Sequence, residues 1–188
     1  MKRASILIIL TLCIAVPDLS AQRYLPGMRG LQVTAGTVNS LNPEPGFHAG
    51  IAFSQYTKHA DRWVFGAEYL EKRHLYKEMT LPQSQFTADA GYYLRFLSDP
   101  RKTFFLSLGA SAMAGYETVN WSRKRLPDGA TIRNEDAFLY GGALTLEAEI
   151  YLLDRIVLLC NVRERLLAGS SIGILNTQLC IGIKFILN

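Results

Sequence analysis

Between Gln85 and Phe96 the chain reads QFTADAGYYLRF, which alternates apolar and polar side chains. One face carries Phe86, Ala88, Ala90, Tyr92, Leu94 and Phe96, and the other carries Gln85, Thr87, Asp89, Gly91, Tyr93 and Arg95. A period of two residues indicates a β-strand, because successive side chains of a strand point to opposite faces of the sheet. We therefore predict a strand here with one apolar and one polar face.

The same alternation recurs along the chain, and no segment shows a helical period as clearly. It predicts eight strands: Gly30–Val38, Gly46–Tyr56, Arg62–Lys72, Gln85–Phe96, Thr103–Glu117, Ala137–Tyr151, Ile156–Leu166 and Ile174–Ile186. The connections after strands two, four and six are short, whereas Arg73–Ser84 and Thr118–Asp136 are long. Short turns at one rim and long loops at the other are typical of outer-membrane barrels. We predict an all-β, eight-stranded antiparallel up-and-down β-barrel over residues 30–188, with both termini at the periplasmic rim of short turns.

The apolar face carries most of the aromatic residues of the chain: Phe47, Phe53, Trp63, Phe65, Tyr69, Phe86, Tyr92, Phe96, Phe104, Tyr116, Phe138, Tyr140 and Phe185. The interior of an eight-stranded barrel is only just wide enough for side chains to fill. So many rings cannot fit there, and we expect them to face lipid in two girdles. The alternative is an exported soluble β-sandwich, in which the same alternation buries the apolar faces.

Charged residues concentrate on the polar face and sort by depth. The lower group, near the short turns, is Arg62, Arg95, Glu147, Glu149 and Lys184, and the upper group is Glu68, Asp89, Arg163 and Arg165. The charges nearly cancel within each group, as a narrow lumen requires, because an unpaired buried charge is costly. We predict a structural network of ion pairs in the lumen. A path for protons or solutes is the alternative interpretation.

The N-terminus has the layout of a secretory signal. Basic Lys2 and Arg3 precede the apolar stretch Ile6–Val16, and Leu19-Ser20-Ala21 puts a small residue at the cleavage position. We expect residues 1–21 to be a signal peptide cleaved between Ala21 and Gln22, and residues 22–29 to be a periplasmic segment. A buried first helix is the alternative.

The last strand resembles the signal that the outer-membrane assembly machinery reads, with Gly182, Phe185 and Leu187 as its recognisable positions. The expected location is therefore the outer membrane. Of the two cysteines beyond the signal peptide, Cys160 and Cys180 fall on opposite strand faces. We expect two unpaired thiols.

No residue pattern indicates a cofactor or metal, because the three histidines lack ligands at metal-binding spacing and no phosphate-binding loop occurs. The net charge of +4 is small and scattered, which argues against nucleic-acid binding. The triplet Arg123-Lys124-Arg125 in the longest loop could contact phosphates, but nearby acidic residues favour a solvated hairpin. A barrel enzyme acting on lipid or peptide is a further alternative, with His48, His74, Ser84 and Glu78 as candidate catalytic groups.

Several stretches are similar to the TraO family of conjugative-transposon transfer proteins from Bacteroides-type bacteria. They include Leu25–Gly30, Tyr56–Lys58, Arg62–Tyr69, Ser107–Ser111, Gly115–Trp121, Leu126–Ala130, Asp136–Gly142, Asp154–Leu159, Val162–Arg165 and Gly182–Phe185. The resemblance implies a component of a mating apparatus and carries over no catalytic residue. Together with the signal sequence and the eight alternating strands, it leads us to expect a non-enzymatic anchor or scaffold. The expected partners are other conjugation proteins and outer-membrane lipid, with no direct nucleic acid and no small-molecule substrate.

Overall fold

A computed structural model describes residues 26–39, 46–76, 79–119, 136–170 and 174–187. The expected signal peptide with Ala21 and Gln22, the triplet Arg123–Arg125 and Glu78 lie outside the described residues. Within the described part of the chain, no helix is long and apolar enough to cross a membrane.

Eight antiparallel strands close into one barrel, as predicted. They are β1 (Arg29–Val38), β2 (Gly46–Tyr56), β3 (Arg62–Tyr76), β4 (Met79–Ser98), β5 (Phe104–Val119), β6 (Ala137–Leu153), β7 (Ile156–Ala168) and β8 (Leu175–Leu187). Each strand pairs with its sequence neighbours, and β1 pairs with β8 from Arg29↔Leu187 to Val38↔Gln178. Closure removes the exposed edges that an open sheet would carry. Both ends of the barrel sequence lie at the rim of short turns.

The loop expected over Arg73–Ser84 is wrong. The β3–β4 hairpin continues past the rim of the barrel, with Arg73↔Pro82 and Tyr76↔Met79 still in register. Pro82 lies in this segment, and a proline has no N–H to donate to a strand ladder. However, the pairing of β4 with β5 begins only at Gln83, so the missing N–H of Pro82 interrupts no described β4–β5 ladder.

The strand phases put the apolar face outside. Trp63, Phe65 and Phe138 are 48%, 49% and 68% exposed, whereas Arg62 and Lys184 are fully buried. Small residues let the inner wall close around these side chains. At Gly36, for example, a Cβ would lie 1.9 Å from the carbonyl oxygen of Leu179. The sandwich alternative is wrong, because one closed barrel presents its apolar face outward.

An apolar plug closes the lumen at the short-turn rim. It consists of Tyr56, Ala60, Phe105, Tyr151, Val157, Leu159 and Ile186, with Met28 packed against it. The rings of Phe105 and Tyr151 meet edge to face with centroids 5.9 Å apart, a favourable aromatic geometry. Two backbone hydrogen bonds connect the N-terminal segment to this plug. The Gly27 N–H donates to the Tyr56 carbonyl, and the Tyr56 N–H donates to the Met28 carbonyl, both at 2.8 Å.

Candidate functional site

Above the plug, four charged side chains of the lumen form one neutral cluster, the lower layer: Arg62, Glu147, Glu149 and Lys184. Arg62 Nη2 lies 2.5 Å from Glu147 Oε1 and 3.5 Å from Glu149 Oε1. Lys184 Nζ lies 3.4 Å from Glu147 Oε1 and pairs closely with Glu149. All four side chains are at most 1% exposed. The two cations and two anions balance, which a buried cluster of this kind needs.

Neutral groups complete the lower layer. Arg62 donates to Ser107 Oγ at 3.3 Å, and Lys184 donates to Tyr56 Oη at 3.2 Å. The guanidinium of Arg62 also lies over the ring of Tyr93, 5.0 Å from its centroid, in cation–π geometry. These contacts hold the layer against the aromatic plug below it.

A second group of charges, the upper layer, is centred on Arg163 of β7. Its Nη1 pairs closely with Glu68 Oε1, and its Nη2 donates to Tyr93 Oη at 2.9 Å. Nη2 also lies 3.7 Å from Asp89 Oδ2, which is an ion pair but too long for a hydrogen bond. Thr145 Oγ1 accepts from Arg163 Nε at 3.0 Å. One arginine thereby connects acids of β3 and β4 across the lumen.

Two of the nine residues expected in the network stand apart from its ion pairs. Arg95 lies half-buried near the short-turn rim, with its guanidinium 5.8 Å from the ring centroid of Phe105. Arg165 is fully buried and donates to Thr87 Oγ1 at 3.4 Å. Among the described residues, neither arginine lies within ion-pair distance of a carboxylate. Arg95 lies too near the rim to join the lower layer, and Arg165 is one position above Arg163 on the inward face of β7.

Near the opposite rim, a carboxylate is held by neutral donors. Glu117 accepts from Gln83 Nε2 at 2.8 Å, Gln85 Nε2 at 2.7 Å and Ser170 Oγ at 3.1 Å. Sequence reasoning placed Glu117 on the polar face but outside both charge groups. The glutamines at alternate positions of β4 were the available signal, because they share the inward phase of Asp89.

The candidate catalytic groups are not assembled among the described residues. His48 points into the lumen, where its Nε2 lies 2.9 Å from Cys180 Sγ. Ser84 contacts Tyr69 Oη at 3.1 Å, and Tyr69 belongs to the outward face. His48 and Ser84 therefore lie on opposite sides of the barrel wall. His74 belongs to β3, where its backbone pairs with Leu81.

Other predictions from sequence concern the thiols and the last strand. Cys160 is exposed and Cys180 is buried, and no disulfide bond joins them, as predicted. Phe185 and Leu187 face outward on β8, 43% and 44% exposed. Gly182 faces inward, where a Cβ would lie 2.4 Å from the carbonyl oxygen of Val33. No described group of three or more His, Cys, Asp or Glu side chains could hold a metal ion.

The sequence profile of the family described as "Conjugative transposon protein TraO" matches residues 25–187. The chain belongs to the TraO family. The match covers every strand and both charged layers of the lumen. No curated protein matches the chain.

Three solved bacterial outer-membrane barrels are similar to this TraO-family barrel. Neisserial surface protein A matches with a TM-score of 0.57 and 15% identity, over 84% of this chain and 96% of that one. The attachment invasion locus protein Ail of Yersinia pestis, in complex with the heparin analogue sucrose octasulfate, matches with a TM-score of 0.56 and 10% identity. This match covers 87% of this chain and 100% of that one. The N-terminal β-barrel domain of Pseudomonas aeruginosa OprF matches with a TM-score of 0.50 and 9% identity, over 86% of this chain and 98% of that one. At these identities the likeness shows a shared fold, the outer-membrane type of eight-stranded barrel.

Proposed function

We propose that this TraO-family barrel is a non-enzymatic outer-membrane anchor for the mating apparatus of a conjugative element. The observation that carries the proposal is the filled lumen. Tyr56, Phe105 and Tyr151 close one end, and the two charged layers occupy the space above them. An eight-stranded barrel holds side chains and no open channel. The barrel then serves the apparatus through its position in the membrane and through the surfaces of its two rims. Transferred DNA passes elsewhere.

The expected route to the membrane supports the same role. A signal peptide over residues 1–21 would deliver the chain to the periplasm, and the apolar outer wall would insert into the outer membrane. Partners are then other proteins of the transfer apparatus. They would bind the periplasmic segment 22–29, the short turns or the surface loops, including Arg123–Arg125. Neither direct nucleic-acid binding nor a small-molecule substrate is part of this proposal.

Membrane fractionation combined with a gel of boiled and unboiled samples tests the location. A folded outer-membrane barrel is expected in the outer-membrane fraction, with a band that shifts on boiling. Recovery in the soluble periplasmic fraction without a shift would contradict the membrane location.

Gene deletion and complementation test the role. Deletion should lower transfer frequency and reduce the amount of other transfer proteins in the outer-membrane fraction. The wild-type gene should restore both, and so should the variants His74→Ala and Ser84→Ala, because an anchor needs no catalytic group. Normal transfer without the gene would contradict the proposal. A variant that folds but fails to restore transfer would favour the enzyme alternative.

A further inference from the structure

A small cavity lies in the lumen between the lower and upper layers. Its volume is about 10 Å³, which is room for the centre of one guest the size of a water molecule. Four strands contribute carboxylate or amide side chains to its lining: Gln32 from β1, Glu68 from β3, Asp89 from β4 and Asn161 from β7. Thr34 of β1 and Cys180 of β8 border it as well. Arg163, at the centre of the upper layer, also borders it.

Each of these four side chains brings an oxygen without a hydrogen-bond partner among the described residues. The atoms are Gln32 Oε1, Glu68 Oε2, Asp89 Oδ2 and Asn161 Oδ1. Gln32, Asp89 and Asn161 are 4%, 6% and 9% exposed, and the side chain of Glu68 is 9% exposed. Buried acceptors are nearly always satisfied in folded proteins, because each orphan costs on the order of 1–3 kcal/mol. Four unsatisfied oxygens around one cavity therefore indicate that the cavity binds an ion or a water molecule.

The chemistry of the guest follows from the donor set. A water molecule donates only two hydrogen bonds and would leave acceptors unsatisfied, whereas a cation can be shared by all four oxygens. Carboxylate and amide oxygens are the ligands of hard cations. Calcium takes six to eight oxygens and magnesium keeps several waters. Four protein oxygens are too few for calcium, and a cavity for a single guest has no room for the waters of magnesium.

The charges bordering the cavity favour a monovalent ion. Among the residues that border the cavity, Glu68 and Asp89 contribute two negative charges and Arg163 one positive charge, so a guest with more than one positive charge would be overcompensated. Arg165 does not border the cavity, but it acts electrostatically on both acids and offsets part of their charge, which also excludes a divalent guest. We propose that Gln32, Glu68, Asp89 and Asn161 bind one monovalent cation of sodium size, which ties β1, β3, β4 and β7 together across the lumen.

Cation-dependent thermal unfolding of the purified mature barrel in detergent tests the site. The fraction of heat-shifted band would be followed against temperature in sodium, potassium or choline chloride at equal ionic strength, so that general screening is constant. Saturating sodium should raise the midpoint by at least about 4 °C over choline, because a ligand of the folded state stabilises it by mass action. Equal midpoints in sodium and choline would overturn the proposal in favour of bound water. Greater stabilisation by calcium or magnesium than by sodium would overturn the assignment of a monovalent ion.

Matched glutamine variants connect the effect to this cavity. Gln32→Leu should abolish the difference between sodium and choline. Gln178→Leu should retain it, because Gln178 is also buried in the lumen and its amide has no partner among the described residues, but it does not border the cavity. Loss of the difference in both variants, or in neither, would contradict the site. If Gln32→Leu does not fold, a sodium NMR titration of the wild-type barrel decides, and the absence of line broadening relative to a detergent blank overturns the proposal.

Discussion

Replacing Lys184 with Met should destabilise the barrel far more than replacing a surface cation. Lys184 is fully buried and its ammonium pairs with both acids of the lower layer. The substitution leaves Glu147 and Glu149 with Arg62 as the one cation of the layer. The lower layer then carries one uncompensated negative charge inside the wall.

The size of the effect can be worked out from the distances. At 3.4 Å, the separation of Lys184 Nζ and Glu147 Oε1, the attraction is about 5 kcal/mol for an effective dielectric constant of about 20. The variant does not lose this whole amount, because it no longer pays the desolvation penalty for burying the Lys184 ammonium. Breaking a buried ion pair by removing one partner costs about 3–5 kcal/mol in total. The double variant Lys184→Met/Glu149→Gln removes the unbalanced acid and should recover most of that loss.

Urea titration followed by the heat-shifted band measures the free energy of unfolding for each variant. Arg155→Met is the matched control, since Arg155 is an exposed cation in the short β6–β7 turn and should change stability by at most about 0.5 kcal/mol. The reasoning fails if Lys184→Met is as stable as Arg155→Met. It also fails if the double variant is less stable than Lys184→Met alone, because the two groups would then not be coupled.

Three further predictions concern packing, the outer face and processing. Gly36→Ala should cost about 1–3 kcal/mol or more in a urea titration, because its Cβ would lie 1.9 Å from the carbonyl oxygen of Leu179. Gly46→Ala should be tolerated, because its Cβ would have no neighbour closer than 3.4 Å. Ile51→Arg, at an outward position in the middle of β2, should cost about 2–4 kcal/mol, against about 0–1 kcal/mol for Leu152→Arg near the short-turn rim. N-terminal sequencing of the outer-membrane form should begin at Gln22, and Ala21→Arg should leave an uncleaved precursor.

Each of these predictions has an outcome that would count against it. Equal stability of Gly36→Ala and Gly46→Ala would mean that the β1–β8 contact can relax. Equal costs for Ile51→Arg and Leu152→Arg would mean that the middle of β2 does not face the centre of the bilayer. A first residue other than Gln22 would move the processing site.

The strands and their faces were predictable because alternation is local. In Gln85–Phe96, each side chain's face follows from its position parity alone, and the observed strand keeps that parity. The end of the β3–β4 hairpin was not predictable in this way. Pro82 would end the strand only if β5 had to accept a hydrogen bond from its N–H. The pairing with β5 stops at Gln83, so no such bond is required.

The sequence by itself determined which residues face the lumen and that their charges nearly cancel. Only the closed barrel decided which of them meet. Arg62 and Glu147 are 85 residues apart, and Arg163 and Glu68 are 95 residues apart. The same closure separated Arg95 from the ion pairs and gathered oxygens from β1, β3, β4 and β7 around one cavity. Parity sets the direction of a side chain, but strand register and the curvature of the wall set its partners. Register arises as neighbouring strands pair, and the curved wall is complete only when the last strand pairs with the first.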